Sequence, residues 1–435
     1  MLSETRRLSH LLSHLDRSGD QTVGRLGDLT LSSHFQPIYS LSHARVIGHE
    51  ALLRARDGTG RPVPPPEVFQ SCRTADRLAL CDTLSRFVHL RNFMAQEPRS
   101  QWVFLNIHPE VFQRLSNQSD GGTQYLRDVS ELFGVPGERM VLEVLEAEVS
   151  DLHAMEQAMA AVRRHGCLIA IDDFGAGQSN FDRVWRLQPD IVKLDRGLVS
   201  RAAKDRRTQR VVSQMASLLH ECGAMVLMEG VENLEEAMVA MEADADMVQG
   251  YYFGRPQPQL VPNGHSPETI PSLYAGLGAR REHRRQQHRT HLAPYRNAIG
   301  NAGVLMSAGV SPEDACRDFL ALPDVELCYV LDADGYQIGA HLLPGGGNAV
   351  GQTGYEPLAQ SDGACWSRRP YFRRAIEEIG RVQTTRPYRT LHGTHICVTV
   401  SFAYYHDVGG KRELRVICGD MLWNEPPEQY QGDSS

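Results

Sequence analysis

CLIAIDDFG, residues 167–175, sets a short apolar stretch against two adjacent aspartates, Asp172 and Asp173, and closes on glycine. A run of this length, rich in Leu and Ile and ended by a turn residue, reads as a strand buried on both faces. Similar runs flank it. Upstream are HFQPIYS (34–40), ARVIGHEALL (44–53), WVFLNIH (102–108) and RMVLEVLE (139–146); downstream are DIVKLD (190–195), AMVLMEG (224–230) and ADMVQGYYF (245–253). Between them lie stretches such as 151–165 and 209–221, with apolar residues three to four apart. Eight strands with helical connections in a segment of 31–260 is the arithmetic of a (β/α)8 TIM-like barrel with a parallel inner sheet. An open doubly wound sheet is the alternative.

The ends of these runs carry the chemistry. Glu50 closes VIGHE, Asn106 closes WVFLN, Glu143 sits in MVLEVLE, and Asp172 and Asp173 close LIAIDD. Lys193 lies in DIVKLD with Asp195 two residues on; Glu229 closes MVLME and Gln249 closes DMVQ. In a barrel those ends converge on one face, where active sites sit. Several carboxylates cannot share a pocket as bare anions. Divalent cations resolve the conflict, and carboxylate and amide oxygens suit a hard ion such as Mg²⁺ or Mn²⁺. Adjacent aspartates let one residue bridge two metals, an arrangement that clamps a phosphoryl group and generates hydroxide. Only three of the 45 basic residues are lysines, so a Lys at position 193, inside an apolar strand, invites a chemical explanation. It could orient an attacking water or balance anionic charge.

The rest of the chain bounds the reading. It has 435 residues and a net charge of −8, with 41% hydrophobic and 23% charged residues, a globular composition. The acidic balance argues against nonspecific nucleic-acid binding. No apolar run approaches the roughly 18 residues of a membrane span. The nine cysteines form no CxxC pair or zinc-type spacing and read as reduced thiols of a cytoplasmic protein. Residues 1–30 read as a helical lead-in without the apolar core of a signal peptide. Residues 261–302 read as a linker helix segment: a loop at NGHSPE (263–268), then a helix over 273–299, with Leu273, Leu277, Leu292, Tyr295 and Ile299 on or near one face and a solvated basic middle, ARREHRRQQHR. Residues 303–423 read as an α+β domain with a small antiparallel sheet and helices on one side, and 424–435 as a disordered tail.

In order along the first segment stand FQPI (35–38), EALLR (50–54), LN (105–106), LEVLE (142–146), IDDFGAG (171–177), VKLD (192–195), EGVE (229–232) and QGYYFGRP (249–256). This ordered set closely resembles that of the EAL-domain cyclic di-GMP phosphodiesterases. The resemblance implies hydrolysis of cyclic di-GMP to linear pGpG with two Mg²⁺ or Mn²⁺ ions per active site. It implies that Glu50, Asn106, Glu143 and Asp172 ligate one metal. Asp172 and Asp173 would ligate the other, with Glu229 nearby. Lys193 would hold the nucleophilic water, with Glu50 and Glu229 counted with it among the catalytic groups. Gln36, Leu53, Arg54, Asp195, Gln249 and Pro256 would touch substrate. Glu146 would support the DDFG loop, which also forms a homodimer contact. This sequence departs from the family at Gln178, where an aromatic residue is usual, at Met228, where Ala is usual, and at Arg73, in a segment where an acidic residue is common. None of these is a metal ligand. A catalytically silent receptor for cyclic di-GMP is the alternative function. A barrel enzyme acting on nucleic acid is disfavoured because no basic groove accompanies the acidic pocket.

YVLDADGYQI (329–338), RRPYFRRA (368–375) and VICGDM (416–421) together resemble a Cache or PAS-like sensor. The resemblance implies a small-molecule ligand near Arg369, Tyr371 and Asp420, and a regulatory role for that domain. The other reading makes Tyr371 and Phe372 core and the arginines solvated.

Overall fold

The structure is a computed structural model. It describes residues 10–114, 121–145, 152–177, 181–346, 361–389, 395–408 and 410–423. Glu146, Gln178 and the tail 424–435 lie outside the described residues. The chain divides into two compact units, Met1–Ala279 and Arg280–Ser435.

Among the described residues the first unit has eleven strands: β1 (Leu15–Ser18), β2 (Gln21–Leu26), β3 (Leu29–Ser40), β4 (Arg45–Arg56), β5 (Pro62–Val63), β6 (Trp102–Asn106), β7 (Met140–Leu145), β8 (Leu168–Phe174), β9 (Ile191–Leu194), β10 (Met225–Met228) and β11 (Met247–Val248). Eight of them, β3, β4 and β6 to β11, close into a barrel, because β3 pairs with both β4 and β11. All eight apolar runs supply a barrel strand. The six pairings from β4 round to β11 are parallel.

Two expectations need correction. The inner sheet is not wholly parallel: β3 runs antiparallel to both neighbours. Only Leu41–Ala44 separates β3 from β4, a connection fit for a hairpin and far shorter than a crossover requires. The lead-in is also not helical throughout. His10–Leu12 is helical, but β1 and β2 form an antiparallel ribbon that continues onto β3. Gly19 and Gly27, both at positive φ, make the turns between these strands, a backbone state glycine adopts without steric cost.

Inside the barrel the two-residue period of strands sorts apolar from polar. One layer is Ile38, Phe104, Val141, Ala170, Ile191, Leu227 and Met247, all buried. Two residues further toward the carboxyl end of each parallel strand come Asn106, Glu143, Asp172, Lys193, Glu229 and Gln249. In β3, which runs the other way, Gln36 precedes Ile38 by the same step. β4 joins the apolar layer without a side chain at Gly48. A Cβ there would meet Trp102 O at 2.9 Å and Phe104 Cε2 at 3.1 Å, so the Phe104 ring fills that space. Alternate residues point outward, among them Ala51, Val103, Leu142, Ile169, Val192 and Val226. They form the main core with the surrounding helices. The helix Ala75–Met94 starts at an N-cap Thr74, whose side chain accepts from the Arg77 N–H. The helix Arg206–Glu221 starts in the same way at Asp205.

The helix Thr269–Ser307 begins earlier and ends later than the sequence pattern suggests. Ile270, Leu273 and Leu277 belong to the core of the first unit, and Leu292, Tyr295, Ile299 and Met306 to that of the second. The second unit holds β12 (Val325–Leu331), β13 (Gln337–Leu342), β14 (Gln383–Thr384), β15 (Tyr388–Arg389), β16 (Ile396–Val408) and β17 (Lys411–Leu422) in one antiparallel sheet. Both of its faces are covered, which corrects the expectation of helices on one side. Cys328 and Val330 pack with Ile299, Met306 and Phe319, whereas Leu327, Tyr329 and Leu331 pack with Tyr371, Phe372 and Ala375.

Candidate active site

Lys193 is the centre of the site. It is fully buried, yet its Nζ lies 2.6 Å from Glu143 Oε1, 2.6 Å from Glu229 Oε1, 3.2 Å from Asp172 Oδ1 and 3.8 Å from Glu50 Oε2. β9, β7, β8 and β4 each present one of these groups, and Glu229 follows directly on β10. Burial alone would push the ammonium down. The surrounding carboxylates, Asp172 first and then Glu143, Glu229 and Glu50, hold it well above the ordinary lysine value. Burial pushes Glu143 well above the carboxylate range; Lys193 opposes the shift and its acidic neighbours add to it. Glu229 is raised for the same reasons, with burial again first. One ammonium thus faces four carboxyl groups, and without further positive charge some of them stay protonated.

Amide side chains complete the ring. Asn106 Nδ2 donates to Glu50 Oε1 at 3.1 Å. Gln249 Nε2 donates to Glu50 Oε2 at 2.6 Å and lies 3.2 Å from Gln36 Oε1. Gln36 Nε2 in turn donates to Gly254 O at 3.2 Å. Gln249 can take this place because Gly250 follows it. A Cβ at Gly250 would stand 2.1 Å from Val231 O, so only glycine lets the two loops pass.

The paired aspartates depend on a break in the strand. Successive strand residues face opposite sides, but the β8–β9 register shifts between Ile171 and Phe174. Asp173 adopts φ of 57°, which is uncommon outside glycine, although Asp tolerates it better than most residues. One oxygen each from Asp172, Asp173 and Glu229 lie within 4.8 Å of one another. Asp173 is more exposed than Asp172, and its carboxyl is raised by desolvation and by Asp172 and Asp195.

The donor set fits a hard divalent cation. Glu143 Oε2 is buried with no hydrogen-bond partner, a costly state for a carboxylate oxygen unless a cation meets it. The grouped donors are carboxylate and amide oxygens, the ligands Mg²⁺ and Mn²⁺ prefer.

The remaining expected contacts are placed less uniformly. Arg54 is half-buried at the end of β4, and its Nη1 donates to Leu53 O at 2.9 Å. Leu53 faces outward and is buried with Leu26, Leu31 and Val68, away from the carboxylate ring. Asp195 Oδ1 caps the helix Arg196–Lys204 by accepting from Gly197 N at 2.9 Å and Leu198 N at 3.3 Å. Pro256 is half-buried, and its backbone hydrogen-bonds His34. In the second unit Tyr371 and Asp420 are buried, and Thr399 Oγ1 donates to Asp420 Oδ1 at 2.6 Å. Burial raises Asp420 to about 7. Arg369 is half-exposed just before the helix Pro370–Glu377.

Sequence reading overlooked several neighbours of the site. Burial, and then the charge of Arg54, lower the pKa of His34, and the Arg255 guanidinium lies 4.3 Å from the centroid of the Tyr251 ring. Asp82 and Arg86 form a buried ion pair on the helix Ala75–Met94. Asp82 Oδ1 also accepts from His108 N at 3.0 Å, pinning the chain two residues beyond Asn106. A charged pair at i and i+4 on a helix with so little amphipathic contrast was the available signal.

The comparisons with known proteins agree with this geometry. A family model described as "EAL domain" matches residues 25–256. The cyclic di-GMP phosphodiesterase RocR of Pseudomonas aeruginosa is 27% identical over 234 residues, covering 52% of this chain and 57% of that protein. The probable cyclic di-GMP phosphodiesterase PdeN of Escherichia coli is 26% identical over 227 residues, covering 52% of this chain and 43% of that protein. The chain thus spans about half the length of these relatives. The crystal structure of the Bacillus subtilis YkuI protein, with an EAL domain, in complex with cyclic di-GMP and calcium, matches with a TM-score of 0.74. That likeness covers 98% of this chain and 100% of the other at 19% identity, and supports the fold. With its model matched over more than half of its length, its barrel closed and its donors gathered at one end, the chain belongs to the EAL domain family.

Proposed function

We propose that this protein hydrolyses cyclic di-GMP to linear pGpG, assisted by two Mg²⁺ or Mn²⁺ ions, and that its second unit senses a small ligand and tunes the reaction. The observation that carries the reading is the ring of Glu50, Asn106, Glu143, Asp172 and Glu229 around the buried Lys193, with Glu50, Glu143 and Asp172 buried, Glu229 half-buried, Asn106 exposed and Glu143 Oε2 unpartnered. The names of the relatives point to the same substrate.

Glu50, Asn106, Glu143 and Asp172 would hold one ion, and Asp172 and Asp173, with Glu229 beside them, the other. Ions bound there polarise a phosphodiester and lower the pKa of water. The residues of the chain do the positioning. Lys193 orients the attacking water from a pocket that excludes bulk solvent and keeps its ammonium charged. Arg54 offers its guanidinium fork to a phosphate oxygen pair. Gln249 and Gln36 fix the rotamer of Glu50, and Asp195 and Pro256 belong to the surrounding walls. The nine free cysteines accord with action in the cytoplasm, and no helix among the described residues is long and apolar enough to cross a membrane. The reading also takes the working form to be a homodimer, which light scattering of the full chain checks.

The test is incubation with cyclic di-GMP and Mg²⁺ or Mn²⁺, followed by chromatography. Release of pGpG, its loss in EDTA and its loss in Glu50→Ala are expected. Tight binding of cyclic di-GMP with no pGpG released would replace the enzyme by a receptor.

A further inference from the structure

The opposite end of the barrel carries a second cleft. It has a volume of about 490 Å³ and is lined by the start of β4 (Arg45, Val46 and Ile47), the segment entering β6 (Arg99 to Trp102), and Asn263 with Gly264. That volume falls within the roughly 300–1,000 Å³ of small-molecule sites. Trp102 and Asn106 are four residues apart on β6, so the cleft lies about 13 Å from the carboxylate ring at the strand rise of about 3.3 Å per residue. It shares no side chain with that ring.

Three features make it a built site. First, its charge is one-sided. Arg45 and Arg99 are both exposed, and neither has an ion-pair partner among the described residues. Each guanidinium offers a planar fork that matches phosphate oxygens. Second, the rims are pinned. The Arg139 side chain donates to Gln101 O at 3.0 Å and to Pro98 O at 2.5 Å, fixing the segment that carries Arg99. Val46 N donates to His265 O at 3.0 Å, fixing the loop that carries Asn263. Third, the rims are tied to each other. Gln101 Nε2 donates to Val261 O at 3.0 Å, and Val261 N donates to His49 Nε2 at 2.9 Å. Between the arginines, the half-buried Trp102 and Ile47 side chains, packed on the apolar barrel layer, supply an apolar wall.

We propose that this cleft binds a nucleoside monophosphate: the phosphomonoester dianion between Arg45 and Arg99, the base against Trp102 and Ile47, and sugar or base polar atoms at Ser100 and Asn263. The Arg pair accounts for the dianion, and the flat apolar wall accounts for the base. The inference stands on the cleft alone, independently of what the carboxylate ring catalyses.

The test is calorimetric titration of the full chain with GMP and AMP in EDTA, which removes cations from the other end of the barrel. One molecule bound per chain is expected. The Arg45→Ala/Arg99→Ala variant should weaken it at least tenfold with an unchanged melting curve, because both side chains are exposed and unpaired. Arg54→Ala should leave it unchanged, and Trp102→Phe should abolish the fluorescence change on binding. No binding up to millimolar nucleotide, loss in Arg54→Ala with retention in the double variant, or competition by inorganic phosphate as strong as by GMP would each overturn the assignment.

Discussion

Replacing Lys193 by methionine keeps the length of the side chain and removes its charge. In the parent, one ammonium lies within 4 Å of Glu50, Glu143, Asp172 and Glu229. Without it, three buried carboxyl groups and the half-buried Glu229 face one another. Removing one partner of a buried pair costs ~3–5 kcal/mol. For a unit of this size that corresponds to a melting shift of ~6–20 °C. The cost depends on pH with a definite sign. Glu143 and Glu229 have folded pKa values raised above their unfolded values. Their contribution to stability is therefore fully present below the ordinary carboxylate range and is lost as pH rises toward the folded values. Lys193 opposes that rise, so its removal widens the window. Thermal melts of parent and Lys193→Met in EDTA should differ little at pH 5 and by the full amount at pH 8. Mn²⁺ should restore much of the difference by supplying the missing positive charge. A variant as stable as the parent at pH 8 in EDTA, or one indifferent to Mn²⁺, would refute the picture of a charge-starved acidic ring.

Glu143→Gln removes the carboxylate with the unpartnered oxygen; cation-dependent hydrolysis of cyclic di-GMP should fall at least a thousandfold, while melts in EDTA stay equal to the parent or rise. Gly250→Ala forces a Cβ to within 2.1 Å of Val231 O; the loop must shift, Gln249 leaves Glu50, and kcat/KM should drop at least tenfold with most of the helical circular dichroism retained. Asp420 is raised to about 7 from an ordinary 3.8. Its contribution to the second unit is fully present below about pH 4 and is lost as pH rises through 7, an effect on the order of a few kcal/mol. Asp420→Asn keeps an acceptor for Thr399 and should flatten the pH dependence of the unfolding transition read by Trp366 and Trp423 fluorescence.

Short apolar runs bounded by turn residues gave all eight barrel strands, because a strand buried on both faces has a composition that helices on a surface do not share. The polar residue near the end of seven of these runs was equally plain, because period two puts it on the inward face with the apolar residue two places before it. Other features were beyond the sequence. Whether β3 ran with or against its neighbours was settled by the closure of the barrel and the brevity of Leu41–Ala44. The N-terminal β-ribbon owed its form to pairing with β3, a partner outside its own segment. Leu53 looked like a wall of the site, yet its odd position on β4 sent it to the outer core. Asp195 was found as a helix cap, a role local spacing permits but does not require.

The sequence alone determined which residues carry oxygen donors and on which strands, since type and parity are local properties. Only the tertiary structure decided that these donors meet around one ammonium, because that requires strands nearly two hundred residues apart to lie in register. It alone brought Asp172 and Asp173 together, through the register break and the left-handed turn at Asp173. It alone formed the arginine-lined cleft at the other end, whose walls come from three segments with no shared pattern. Distances of a few ångströms between residues remote in sequence are set by packing, and packing is a property of the whole fold.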